Sequence, residues 1–163
     1  MKKTLSKIDG FIILMGDYCE FINEKSFKYE TQTMSPKQQF KTFKKMFKDF
    51  AYNGNILACV KGNHEDRYFN KLDGLEDWCE EYEIPYNGRH ILIDVDWVTI
   101  YAHHPKTSAT TAAGRDRVFK KMRDVQEADI YLSGHFHSLY QDLSFKYDRK
   151  RELKSTLLSL IHI

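Results

Sequence analysis

The chain has 163 residues, 25 Lys and Arg against 23 Asp and Glu, a formal net charge of +2 and 42% hydrophobic residues. This balance describes one ordinary globular domain, able to bury about 70% of its unfolded surface, and argues against a nucleic-acid-coating protein. No apolar run approaches the roughly 20 residues of a bilayer span, residues 11–15 are too short for a signal-peptide core, and Cys19, Cys59 and Cys79 lack CxxC spacing; a cytoplasmic chain without disulfides, zinc knuckle or membrane partner is expected.

Taken in chain order, the first predicted element is an apolar strand over 11–15, ending in Gly16-Asp17. Ser35-Pro36 then starts a helix whose Phe40, Phe43, Phe47 and Phe50 recur at three- and four-residue spacing, and Asn53-Gly54 stops it. Its lysines at 37, 41, 44, 45 and 48 lie mostly off that stripe and read as a solvated face. A second apolar strand over 56–60 runs into Lys61-Gly62-Asn63-His64, and short helices are predicted over 65–72 and 75–82. Residues 91–94 and 97–101 predict a hairpin turning at Val95-Asp96, with the apolar strand 98–102 ending in His103-His104. A helix follows over 115–127, with Val118, Phe119, Met122 and Val125 inward. The strand 129–132 ends in Ser133-Gly134-His135, and 139–147 with 152–157 predict a final hairpin. Neither repeats nor linkers interrupt this α/β pattern, which describes a single core.

Four apolar strands thus end in polar, ligand-type residues. Five of the seven histidines (His64, His103, His104, His135, His137) directly follow predicted strands. In open α/β sheets functional groups gather beyond the carboxyl ends of the strands, so Asp17, Asn63, His104, His135 and His137 are expected on one rim. Their chemistry agrees. A carboxylate can bridge two cations, an amide oxygen is a hard ligand, and neutral imidazole suits Mn, Fe, Zn or Ni. Two such ions about 3.5–4 Å apart can clamp the attacking and leaving oxygens of a displacement at phosphorus.

The segments Gly16-Asp17-Tyr18-Cys19-Glu20, Gly62-Asn63-His64-Glu65, His103-His104 and Gly134-His135-Phe136-His137, in that order, resemble the calcineurin-like metallophosphoesterases. That family carries GD-x-x-(D/E), GNH(E/D), H and GHxH. The resemblance implies a four-layer α/β/β/α sandwich and metal-dependent hydrolysis of a phosphomonoester or phosphodiester, through a dinuclear site and metal-bound hydroxide. It implies two divalent ions, Mn first, with Fe, Zn, Ni or Mg as alternatives, and a phosphoester substrate, a nucleotide or nucleic acid among the candidates.

Residue by residue, the resemblance makes Asp17 the bridging carboxylate, gives Asn63, His104 and His135 to one ion, and gives His137 to the other. His64 becomes the imidazole beside the scissile phosphate, donating to a phosphate oxygen or protonating the leaving group. Glu20 would accept a hydrogen bond from His64, and Arg67 would offer phosphate a bidentate donor. His103 is the alternative to His104, although Pro105 stands where the family often has glycine after the ligand, which favours His104.

Two features depart from the pattern. The family's first motif, Asp-x-His, does not occur in the 16 residues before Asp17, which leaves the second ion only Asp17 and His137. Residues 158–163 end abruptly and resemble a translated sequencing adapter. The expectation is a truncated domain over 1–157 without its N-terminal strand, followed by a non-native tail. A catalytically silent metal- or phosphate-binding fragment is therefore the alternative function. A nucleic-acid module built on the 37–48 lysines is a third reading, disfavoured by the near-neutral charge.

Overall fold

A computed structural model of the chain describes residues 9–22, 28–69, 74–106, 109, 111–136, 140–147 and 153–160, the last two segments by their backbone. Most of the Ser/Thr-rich segment 107–111 and all of His137 lie outside the described residues. Strand β1 (Ile12–Leu14) is followed by a 3-10 turn (Tyr29–Thr31), helix α1 (Pro36–Tyr52), β2 (Ile56–Cys59), α2 (Asn63–Tyr68) and α3 (Gly74–Glu81). Then come β3 (His90–Val95), β4 (Val98–His103), α4 (Ala112–Val125), β5 (Ile130–Ser133), β6 (Tyr140–Tyr147) and β7 (Leu153–Leu160). β1 pairs with β2 in parallel, while a second sheet has the order β3-β4-β5-β7-β6. Its β4–β5 and β5–β7 pairs are parallel, and its two outer pairs, β3–β4 and β6–β7, are antiparallel.

Strand alternation sorts the core into three clusters. From the first sheet, Leu14 and Cys59 join Phe43, Phe47 and Trp78 of α1 and α3. Their sequence neighbours Met15, Ala58 and Val60 face the other way and meet Ile91 and Ala102 of the second sheet. Beyond that sheet, Tyr101 and Tyr131 pack on Phe119 and Met122 of α4. Strands apolar on both faces are what uninterrupted runs such as Ile12-Ile13-Leu14 encode.

Helix α1 begins as its sequence dictates. The Ser35 side chain and the Gln38 side chain each accept from the other's backbone N–H, and Pro36 opens the first turn. Phe43, Phe47 and Ala51 are buried, with Phe40 and Phe50 packed at the margin. Gln39 is the polar exception, accepting from the Phe21 N–H (3.1 Å) and donating to the Met34 carbonyl (3.0 Å). It ties the segment after Asp17 to the helix.

The structure corrects several predicted boundaries. The hairpin turns at Asp96–Trp97, because Val95 pairs with Val98 and Asp96 takes the left-handed backbone (φ 52°) that a β-branched valine disfavours. Helix α4 starts three residues early, where the Thr111 side chain caps the Gly114 N–H. Val125, predicted inward, ends that helix 75% exposed. β7 extends through Leu160, so residues 158–160 pair with β5 and β6. No helix among the described residues is long and apolar enough to cross a membrane.

Candidate metal centre

Four strand ends deliver the candidate side chains to one place. Asp17 lies three residues beyond β1, and Asn63 opens α2 just after β2. His104 directly follows β4, and His135 stands two residues beyond β5. The first sheet therefore supplies Asp17 and Asn63, and the second supplies His104 and His135. Ligand atoms of Asp17, His104 and His135 all lie within 4.8 Å of one another. Asp17 Oδ2 is 3.2 Å from His104 Nε2 and 3.5 Å from His135 Nδ1, and Asn63 Oδ1 is 3.1 Å from His104 Nε2.

His104 is 1% exposed, and its Nδ1 donates to the Met15 carbonyl at 2.7 Å. A carbonyl only accepts, so the ring's proton is held there and Nε2 presents its lone pair. That lone pair faces a carboxylate oxygen and an amide oxygen, two more electron-rich atoms. Three acceptors converging on one point repel unless a proton or a cation lies among them. Oxygen and imidazole donors at this spacing suit a divalent ion such as Mn²⁺, Fe²⁺, Ni²⁺ or Zn²⁺.

The backbone has been shaped to hold this group. Asp17 (φ 56°) and His135 (φ 70°) both occupy the left-handed region, costing on the order of 1 kcal/mol or more each. The motif glycines stand where no side chain fits. A Cβ on Gly16 would lie 2.6 Å, and one on Gly134 2.8 Å, from His104 Nδ1, while one on Gly62 would collide with Asp17. Burial opposes ionisation of Asp17, but positive charge at the His104 ring, held by the proton that stands where a cation would, and the backbone N–H of His64 (2.9 Å to Oδ1) outweigh it. Its carboxyl stays well below the usual carboxylate range.

Glu65 is the important residue that the sequence reading left without a role. It is 1% exposed, and its carboxylate accepts from the backbone N–H groups of Asp17, Tyr18 and Gly62, each at 2.8 Å. Burial pushes its pKa up, against those three donors. Glu65 thereby clamps the loop after β1 onto the start of α2. The available signal was its spacing, three residues after Gly62, where a helix's third residue reaches back to its N-cap.

His64 Nε2 lies 4.0 Å from Asp17 Oδ2, and its Nδ1 donates to the Cys19 carbonyl at 3.2 Å. That carbonyl occupies the position expected of Glu20, whose own side chain is exposed. Arg67 is exposed in the last turn of α2, outside the hydrogen-bonded group. His103, one residue before His104, faces away from it, beside Tyr101. Burial lowers its pKa to about 4, so its imidazole is neutral.

The cysteines are quiet by the same physics. Burial pushes the Cys19 thiol up to about 12 and Cys59 well above its ordinary value, and Cys79 is 1% exposed. Since the thiolate is the reactive species, the native chain at pH 8 should react with a disulfide-exchange reagent far more slowly than the denatured chain, which exposes all three. Rapid labelling of a native thiol would contradict this placement.

The family comparison agrees with the geometry: the calcineurin-like phosphoesterase profile matches residues 2–139. The chain belongs to the calcineurin-like phosphoesterases. No curated protein matches it. Among solved structures, vacuolar protein sorting 29 from Cryptosporidium parvum aligns with a TM-score of 0.43 and 11% identity, over 93% of this chain and 73% of that one. Members of the family are, in general, metal-dependent phosphoesterases, and in this chain the family match spans every strand end that contributes to the candidate centre.

Proposed function

We propose that this calcineurin-like phosphoesterase hydrolyses a phosphomonoester or phosphodiester with divalent cations in the centre around Asp17. The observation that carries the reading is the convergence of Asp17 Oδ2, Asn63 Oδ1 and His104 Nε2 on one point, with His135 Nδ1 beside them. These four residues would hold one ion; by family resemblance, Asp17 and His137 would contribute to a second. Bound there, a divalent cation supplies charge for the phosphate oxygens and for the oxygen that attacks phosphorus.

The chain's own groups do the rest. The Met15 carbonyl fixes the His104 ring, and Glu65 fixes the loop that carries Asp17. With Nδ1–H tied to the Cys19 carbonyl, His64 has Nε2 available to carry a proton toward a phosphate or leaving-group oxygen. The three core clusters support the four-layer sandwich, with α1 and α3 outside the first sheet and α4 outside the second. A cytoplasmic setting remains part of this proposal.

The test is turnover of p-nitrophenyl phosphate and bis(p-nitrophenyl) phosphate by the purified chain with Mn²⁺, alongside metal analysis. We expect activity that chelation removes and Mn²⁺ restores. His64→Ala should cost about a hundredfold in kcat at unchanged metal content, the usual scale for a lost acid–base group. Bound metal without any turnover would instead establish a silent metal-binding domain.

A further inference from the structure

On the other side of β4 from the metal centre lies a second cavity, of about 390 Å³, between the second sheet and α4. Its wall is aromatic. Tyr101 and His103 present rings inclined by 22° with centroids 6.4 Å apart. Val118 and Met122 of α4 supply an apolar floor, and Lys106 and Lys121 add two exposed ammonium groups at the edge. Among the described residues, neither lysine has a carboxylate partner.

His103 explains which ligand this cavity favours. Its Nδ1 is sealed from solvent and has no hydrogen-bond partner among the described residues. A buried orphan acceptor is better tolerated than a buried orphan N–H donor. The tautomer that keeps its lone pair inside therefore turns Nε2–H outward, toward the cavity. The pocket thus offers a flat aromatic wall, a donor N–H and two cations, and among the described residues no carboxylate lines it. Charge and shape point to one class of occupant.

We propose that this cavity is a second ligand site, for a small planar aromatic anion, separate from the metal centre. An aromatic body would stack along Tyr101 and His103, with its anionic group between Lys106, Lys121 and His103 Nε2–H. The proposal does not depend on catalysis, because among the described residues the hydrogen bonds and ion pairs of Asp17 run to His64, Glu65, His104 and His135 and to none of these, and strand alternation turns His103 away from His104.

Naphthalene-2-sulfonate is a suitable probe, since it is planar, anionic, fluorescent and not a phosphoester. Its binding to the chelator-treated, metal-free chain is measured by fluorescence titration and by NMR shifts of the Met122 methyl. Saturable binding is expected, with 2-naphthalenemethanol, the neutral analogue, at least about tenfold weaker, because it forgoes the charge-assisted hydrogen bonds. Lys121→Glu should weaken the sulfonate at least about fivefold, and His103→Phe, which keeps the ring and removes the donor, by a similar factor. Asp17→Asn should leave binding unchanged. Circular dichroism checks that each variant is folded, and Lys106→Glu stands in for any that is not. Equal binding of the neutral analogue, insensitivity to the charge reversal (Lys121→Glu, or Lys106→Glu in its place), or loss of binding in Asp17→Asn would each overturn the proposal. The last outcome would place the probe at the metal centre.

Discussion

Asp17→Asn is expected to abolish tight cation binding and phosphoester turnover together while leaving the chain folded. The substitution is unusually clean. Asparagine tolerates the left-handed backbone that Asp17 adopts (φ 56°), and its amide oxygen can still accept the His64 N–H that Oδ1 accepts now. What disappears is the charge of the carboxylate that faces both His104 and His135. Altering groups that merely orient metal ligands already costs about 10–100-fold in affinity, so losing this carboxylate should exceed about 100-fold. Titration calorimetry with Mn²⁺ measures the affinity, and turnover should fall below detection in parallel. A variant that kept wild-type Mn²⁺ affinity would remove Asp17 from the centre.

The second large effect concerns stability. Glu65→Ala removes the acceptor of three backbone N–H groups at a position 1% exposed. Each orphaned buried donor costs about 1–3 kcal/mol, and partial entry of water limits the sum to about 4 kcal/mol. For a domain of this size that is a fall in melting temperature of about 10 °C. Glu65→Gln keeps one acceptor oxygen and should fall between wild type and alanine. Metal affinity should drop in both variants, because the loop they loosen carries Asp17. A Glu65→Ala chain melting within about 2 °C of wild type would show that the clamp contributes little.

How far these features could be read in advance depended on the kind of interaction. Strand ends were legible because strands buried on both faces spell continuous apolar runs, and the residues just after them must lie at the sheet's carboxyl edge. The choice of His104 over His103 rested on the proline after it; the structure brings His104 to Asp17 and turns His103 toward Tyr101. Glu65 escaped because an acidic residue in a helix's first turn ordinarily complements the helix dipole from the surface. Only the folded loop shows that it faces inward. Glu20 was expected to hold His64 because spacing counts side chains, whereas the nearer acceptor was a backbone carbonyl. Gln39 was equally hidden, a polar residue buried to satisfy the Phe21 backbone from another element.

Because Asp17 and Asn63 belong to one sheet while His104 and His135 belong to the other, the centre sits astride the seam where Met15 and Ala58 meet Ala102. Its outermost members, Asp17 and His135, are more than a hundred residues apart along the chain, and the four-residue group is not complete until both sheets have docked. A cation there would act as a rivet through two plates. Ligand that binds only the native state adds about 2.7 kcal/mol at a hundred times its dissociation constant. In this molecule that energy would be delivered across the seam, coupling cofactor supply to the mechanical integrity of the domain.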